Sequence, residues 1–220
     1  QKKSVHSIYL HPLYCAEEEV SKRVKILSEQ KKDIARINLA IQKRGLTGES
    51  TEEKLSNYAK QALEGGQANN EQSLAIEKSL LDKVLVITGG PGTGKTTVIK
   101  AITNLYNNLG LQILLGAPTG RASKRLSEVT NHKATTIHRM LEYDWGSGGF
   151  LKDSSNPLTS DCIIIDESSM LDIYLTSSLL RAIPDNCTVI MVGDVDQLPS
   201  VGPGNVLKDI IESRSVTVVR

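Results

Sequence analysis

Short apolar runs at 84–88, 112–117, 162–166, 188–193 and 216–219 are rich in Val, Ile and Leu, and they alternate with stretches whose apolar residues recur every three or four positions. Runs this short and this continuously apolar fit strands buried on both faces, and the helical periodicity between them makes the strands successive members of a mainly parallel sheet. Helices are expected from Lys95, from about Arg121, from Leu171 and from Gly204. The predicted class is therefore α/β, with helices covering both faces of the sheet. Residues 143–156 interrupt the rhythm with Gly146, Gly148, Gly149 and several serines, which reads as a mobile insertion or a small hairpin.

Upstream, Val20, Val24, Leu27, Ile34, Ile37 and Ile41 form one apolar stripe, predicting a helix from Ala16 that Gly45 ends. A short alternating piece around 8–10 is stopped by Pro12, a second helix is expected over 51–63, and Asn69 or Asn70 can cap a third that runs to Leu81. The pair Gly65-Gly66 marks the best boundary. It divides the chain into 1–66, a small helical segment read as the end of a larger N-terminal region, and 67–220, the α/β domain. The expected use of the first stripe is structural, docked on that domain or on a missing one.

Length and charge narrow the classes. At 220 residues the chain accommodates one α/β domain and an appendage. Lysine and arginine total 26 against 25 aspartate and glutamate, so overall charge gives no support for a nucleic-acid partner. Locally, Arg121, Lys124, Arg125, Lys133 and Arg139 stand against Glu128 alone, a basic stretch that fits either contact with a phosphate backbone or a solvated helix face. No run suggests a membrane span or a signal peptide, so a cytoplasmic location without membrane contact is expected. Cys15, Cys162 and Cys187 are odd in number and widely spaced, and are expected to be buried, reduced thiols.

The stretch after the first strand carries the clearest chemistry. Gly89 to Thr96 matches G-x-x-x-x-G-K-[ST], with a strand before and a helix after. Gly90, Pro91, Gly92, Thr93 and Gly94 can curl so that backbone N–H groups and a helix N-terminus face an anion; Thr97 continues that helix start. Lys95 brings a mobile charge to the outer phosphates of a nucleoside triphosphate, and the Thr96 hydroxyl suits Mg²⁺.

Other strand ends add to this. Asp166 and Glu167 close the 162–166 run, where Asp166 is placed to hold magnesium and Glu167 to polarise an attacking water; such a pair can also merely cap the next helix. Gln197, in the turn after 188–193, could sense a γ-phosphate, although the same turn would occur without that role. Thr119 and the helix start after it could bind an anion other than the nucleotide, and Thr136, His138 and Arg139 gather hydroxyl, imidazole and guanidinium in one segment.

Taken together, GGPGTGKTT, APTGRASKRL, TTIHRML, IIIDESSML and GDVDQLPSVGPG resemble the ordered motifs of superfamily 1 helicases of the RecD-like branch, over roughly residues 68–220. The resemblance implies a RecA-like first motor domain, a P-loop NTPase using ATP and Mg²⁺. Gln72 matches the adenine-recognising glutamine, Gly92, Gly94, Lys95, Thr96 and Thr97 the phosphate loop, Asp166 and Glu167 the metal and general-base pair, and Gln197 the γ-phosphate sensor. Thr119, Arg121, Thr136 and His138 match positions lining a single-stranded DNA path.

The implied activity is 5′ to 3′ movement along single-stranded DNA with unwinding of duplex ahead, in repair or recombination. Implied partners are single-stranded DNA, duplex junctions, a second RecA-like domain and the subunits of a nuclease complex. No second RecA-like domain follows Arg220, so residues 1–220 alone are expected to bind ATP, hydrolyse it poorly and not unwind DNA. A nucleotide-gated DNA-binding scaffold without unwinding is the alternative, and a small-molecule kinase built on the same loop is a third reading.

Overall fold

The computed structural model describes residues 10–43, 53 and 70–220. Two helices come first, α1 (His11–Glu29) and α2 (Ile34–Lys43). Then α3 (Asn70–Leu81), β1 (Val84–Thr88), α4 (Lys95–Asn108), β2 (Ile113–Ala117), α5 (Gly120–Thr130) and β3 (Ala134–Thr136) follow. A short α6 (Ile137–Met140) leads to a hairpin of β4 (Tyr143–Asp144) and β5 (Gly149–Phe150). The chain continues through β6 (Cys162–Ile165), a 3-10 turn at Ser168–Met170, α7 (Ile173–Ala182), β7 (Thr188–Gly193), α8 (Val206–Ser213) and β8 (Thr217–Val219).

Among the described residues one six-stranded sheet runs in the order β3-β2-β6-β7-β1-β8, with every pairing parallel. This is an α/β fold of the RecA-like P-loop kind. The strands alternate with period two between two cores: Leu85, Ile87, Ile164, Ile190 and Val192 meet α2, α3, α4 and α5 on one face. Val84, Val86, Ile163, Ile165, Val189 and Met191 meet α1, α6, α7 and α8 on the other. Each such side chain, fully removed from water, contributes about 1.5–3 kcal/mol of transfer free energy.

Differences from the expected elements have local causes. The expected long first helix is two helices: Gln30 turns extended at ψ 136°, and Pro12 occupies the first turn of α1. The alternating piece expected around 8–10 lies outside the described residues except at Leu10. The expected helix over 51–63 lies outside the described residues except at 53. Strand β3 was not anticipated, because Ala134, Thr135 and Thr136 are half-buried and carry no apolar run; pairing with β2 holds them. The insertion contains the small hairpin.

The cysteines divide. Cys162 and Cys187 are buried, and burial pushes both thiols up, Cys187 to about 11. Cys15 is exposed, contrary to expectation, because the buried side of α1 is Ala16, Val20, Val24 and Leu27; its Sγ lies 3.7 Å from His11 Nδ1 on the solvent side.

Helix α1 belongs to the second core and is fastened to α7. Arg23 donates to the carbonyls of Leu180 (3.3 Å) and Ile183 (2.7 Å) and to Asp185 (2.8 Å), satisfying acceptors at the α7 C-terminus that no helix bond can reach. Arg181 grips Glu19 at 2.8 and 2.6 Å, and Ser177 donates to the same carboxylate. Leu27→Ala is expected to lower stability to urea by about 2–5 kcal/mol, and Arg23→Ala by about 1–3 kcal/mol. Losses below about 0.5 kcal/mol for both would place α1 outside the cooperative fold.

Candidate functional site

Parallel pairing sends all six strands out at one edge of the sheet, where ligands of open α/β sheets sit. Across that edge the loops follow strand order: the segments after β3 and β2, then Asp166 and Glu167 after β6, Asp194 to Gln197 after β7, and the glycine-rich loop after β1. Strands about 4.8 Å apart therefore bring β6, β7 and β1 together in one stretch of the edge.

The loop after β1 closes on its own polar groups. Thr93 Oγ1 donates to the Gly90 carbonyl (3.0 Å), and the Lys95 ammonium lies on the Gly89 and Gly90 carbonyls at 2.5 and 2.8 Å. Gly94, at φ +87°, is the N-cap of α4, and that left-handed backbone favours glycine; an added Cβ would also press on the end of the Gln72 side chain. Gln72, on α3, donates to the Thr93 carbonyl at 3.1 Å and so rests against the loop. Gly92 is also left-handed, and Pro91 stands exposed at the bend before it.

The next neighbours are acidic. Asp166 is half-buried and its Oδ1 accepts the Glu167 N–H at 2.9 Å. Burial pushes the Asp166 carboxyl up from the ordinary carboxylate range, against the pull of that N–H; adjacent Glu167 adds to the rise and the cations Lys95 and Arg125 oppose it. Glu167 sits at φ +54°, ψ 39°, a left-handed backbone that costs a non-glycine residue about 1–2 kcal/mol. The neighbouring strand approaches this turn closely: a Cβ on Gly193 would lie 2.8 Å from Leu207 Cδ2 and 3.0 Å from the Ser169 amide nitrogen. Strain of this kind, held by surrounding packing, is characteristic of sites.

After β7, Asp194 is buried and accepts the Asp196 N–H (3.0 Å) and the Gln197 side-chain amide (3.4 Å). Gln197 itself is exposed. Asp194 and Arg125 were not singled out from sequence. A carboxylate two and three residues before amide partners is a turn signal that pointed to Asp194, whereas Arg125 was visible only as one charge in a basic stretch.

On the other half of the edge, Thr119 caps α5 by accepting the Ala122 N–H at 3.2 Å, and Thr136 caps α6 by accepting that of Arg139 at 3.2 Å. Arg121 lies exposed in the first turn of α5. His138 is exposed, with its ring centroid 5.6 Å from Phe150 and 5.9 Å from Tyr143; Tyr143 packs edge-on against Trp145 at 5.0 Å. Trp145 is 89 % exposed.

The loop residues fit a triphosphate and the oxygen donors fit magnesium. The first bond from α4 back to the loop is Val98 N–H to the Gly94 carbonyl, leaving the N–H groups of Lys95, Thr96 and Thr97 without intrahelical partners at a positive helix end. Thr96 and Asp166 are hard oxygen ligands of the type Mg²⁺ takes together with water. Thr88 Oγ1 and Ser169 Oγ, beside these two loops, are buried without hydrogen-bond partners among the described residues.

Residues 72–203 match a family model described as an AAA domain. The chain is 45% identical over 136 residues to the ATP-dependent RecD2 DNA helicase of Deinococcus radiodurans, covering 62% of this chain and 19% of that protein. It is 36% identical over 170 residues to the RecBCD enzyme subunit RecD of Mycobacterium tuberculosis (67% and 29%). To the RecBCD enzyme subunit RecD of Haemophilus influenzae it is 32% identical over 165 residues (64% and 26%). The chain thus spans less than a third of the length of these relatives.

Two outcomes follow from the geometry. Because Glu167 is left-handed, Glu167→Gly is expected to be more stable than Glu167→Ala by about 1 kcal/mol in chemical denaturation, although glycine is the more flexible residue; equal or reversed stabilities would mean that the backbone is unstrained. A carboxylate holds a cation in its ionised form, so a magnesium nucleotide held through Asp166 is expected to lose affinity in acid at higher pH than with an ordinary aspartate. Arg125→Ala removes a cation that favours the ionised form and should move that fall to still higher pH, read by fluorescent-nucleotide titration; an unmoved profile would sever Arg125 from the site.

Proposed function

The chain belongs to the AAA domain family, as a motor domain of the RecD-like type of superfamily 1 helicase, and from that premise we propose that it is the ATP-hydrolysing part of a motor moving 5′ to 3′ along single-stranded DNA. Such a motor opens duplex ahead of it and serves DNA repair or recombination. The observation that carries this reading is the position of β6 in the sheet, between the nucleotide-type loops after β7 and β1 and the capped helix starts after β2 and β3.

In this reading Gln72 recognises adenine, and the loop from Gly90 to Thr97 cradles the phosphates. Lys95 leaves its two loop carbonyls for the outer phosphates. Thr96 and Asp166 hold Mg²⁺, while Glu167 takes a proton from the attacking water. Bound ATP supplies the phosphoanhydride bond whose hydrolysis drives movement. Gln197, held by Asp194, reads the state of the outer phosphate.

DNA is contacted by Thr119, Arg121, Thr136 and His138. The ring group of His138, Tyr143, Phe150 and exposed Trp145 offers the stacking surface that single strands favour, each stacked base being worth roughly 1–3 kcal/mol. Residues 1–66 are read as the end of a larger N-terminal region, and subunits of a nuclease complex are candidate partners of the whole protein.

A cation from a facing RecA-like domain is worth roughly 10³–10⁵ in phosphoryl-transfer rate, so residues 1–220 on their own should bind ATP, hydrolyse it slowly and not unwind DNA. The test is unwinding of 5′-tailed and 3′-tailed duplexes by the whole protein beside Lys95→Ala. Unwinding of the 5′-tailed duplex alone, lost in the variant, is expected. Tight ATP and DNA binding with no unwinding of either duplex would replace the motor with a nucleotide-gated scaffold.

A further inference from the structure

At the opposite end of the strands, beneath the starts of β1 and β8, lies a cavity of about 590 Å³ lined by Lys31, Lys32, Lys83 and Arg214, with Asp82 the one acidic side chain in its wall. Its volume falls in the range of about 300–1,000 Å³ usual for small-ligand sites. We propose that this cavity is a second anion site, separate from the phosphate loop, that takes a phosphate-type oxyanion.

The cations come from three separate parts of the chain: the α1–α2 connection, the α3–β1 connection and the residue after α8. None of the four forms an ion pair among the described residues. Lys83 is buried, and its ammonium donates only to the carbonyls of Asn186 (2.6 Å) and Asp185 (3.4 Å). The Lys32 amine donates to the Ser79 carbonyl and to the Tyr106 hydroxyl (3.2 Å), while Tyr106 gives its own proton to that same carbonyl at 2.7 Å. Neutral oxygens thus partner these amines where a charge would satisfy them better.

Arg214, exposed at the end of α8, adds a guanidinium to the cavity wall. It caps α8 at φ +55°, ψ 23°, a position where glycine is the usual residue. A non-glycine backbone held there costs about 1–2 kcal/mol, and it places a long cationic side chain at the cavity wall.

Burial of the two amines has a titration signature. Burial pushes the Lys32 amine down to about 7, with neighbouring Lys83 adding to the fall and Asp82, Cys162 and Cys187 opposing it; burial also lowers Lys83, which Cys187, Asp185, Asp33 and Asp161 oppose. An anion bound in the cavity would favour the protonated forms of both amines. Binding therefore takes up protons near neutral pH and tightens as pH falls through that range.

Sulfate is a suitable probe because it does not titrate there. The chain is held with magnesium and a non-hydrolysable ATP analogue so that the phosphate loop is filled, and is then titrated with sulfate by calorimetry in buffers of different ionisation enthalpy. One sulfate per chain, bound with proton uptake, is expected. Lys31→Glu with Arg214→Glu, both exposed and far from the loop, should weaken sulfate by at least about tenfold and leave analogue affinity unchanged. Lys32→Met, checked by circular dichroism for folding, should reduce the proton uptake.

Competition of a short single-stranded oligonucleotide with sulfate would assign the anion to a nucleic-acid backbone; absence of competition would assign it to a free oxyanion. Equal sulfate affinity in wild type and the charge-reversed variant, or binding without proton uptake, would overturn the site.

Discussion

Parallel register at the centre of the sheet is the constraint on which the rest depends. Cys162, Ile163, Ile164 and Ile165 pair with β2 on one side and β7 on the other, and the Asp166 N–H still reaches the Gly116 carbonyl at 2.9 Å. Because every strand points the same way, the ends of β1, β7, β6, β2 and β3 share one edge. A one-residue slip of β6 would exchange its two core faces and carry Asp166 away from the loop after β1. The four buried residues of this strand are therefore as much a part of the site as the carboxylates that follow them.

The same strand end holds the least comfortable backbone of the site. Glu167 is left-handed, and the turn that carries it lies against Gly193 and Leu207. The chain then runs through Asp172, which caps α7 by accepting the Leu175 N–H at 2.8 Å, and α7 is clamped by Arg23 and Glu19 of α1. A continuous set of packed and hydrogen-bonded elements thus joins α1 to the segment bearing the acidic pair.

What was legible in sequence follows from how each element is stabilised. Strands buried on both faces cannot hide, since Ile163 to Ile165 or Val189 to Val192 have no other use as uninterrupted apolar runs. Strand β3 was hidden because Ala134, Thr135 and Thr136 derive their conformation from β2 and not from their own composition. The glycine pattern marked the loop, and the spacing of the acidic pair marked the end of β6.

Tertiary facts were out of reach. The contact of Gln72 with the Thr93 carbonyl, the strain at Glu167, the hold of Asp194 on Gln197 and the nearness of Arg125 to Asp166 all join residues whose relation is set by packing. Cys15 was misjudged for a similar reason: adjacent Ala16 is buried, but one position around a helix turns a side chain by about 100°. The cationic cavity draws on residues 31, 32, 83 and 214, which no motif connects.

If, as proposed, one sheet edge serves a nucleotide and a single strand together, occupancy of one half is felt at the other. Coupling of this kind is reciprocal and typically 5–150-fold, about 1–3 kcal/mol. The most direct measurement is the affinity of a non-hydrolysable ATP analogue for the chain with and without saturating single-stranded DNA, beside the affinity for DNA with and without the analogue. Each ligand is expected to change the other's affinity by the same factor, of at least about fivefold. No binding of single-stranded DNA, or two affinities that ignore each other, would contradict it.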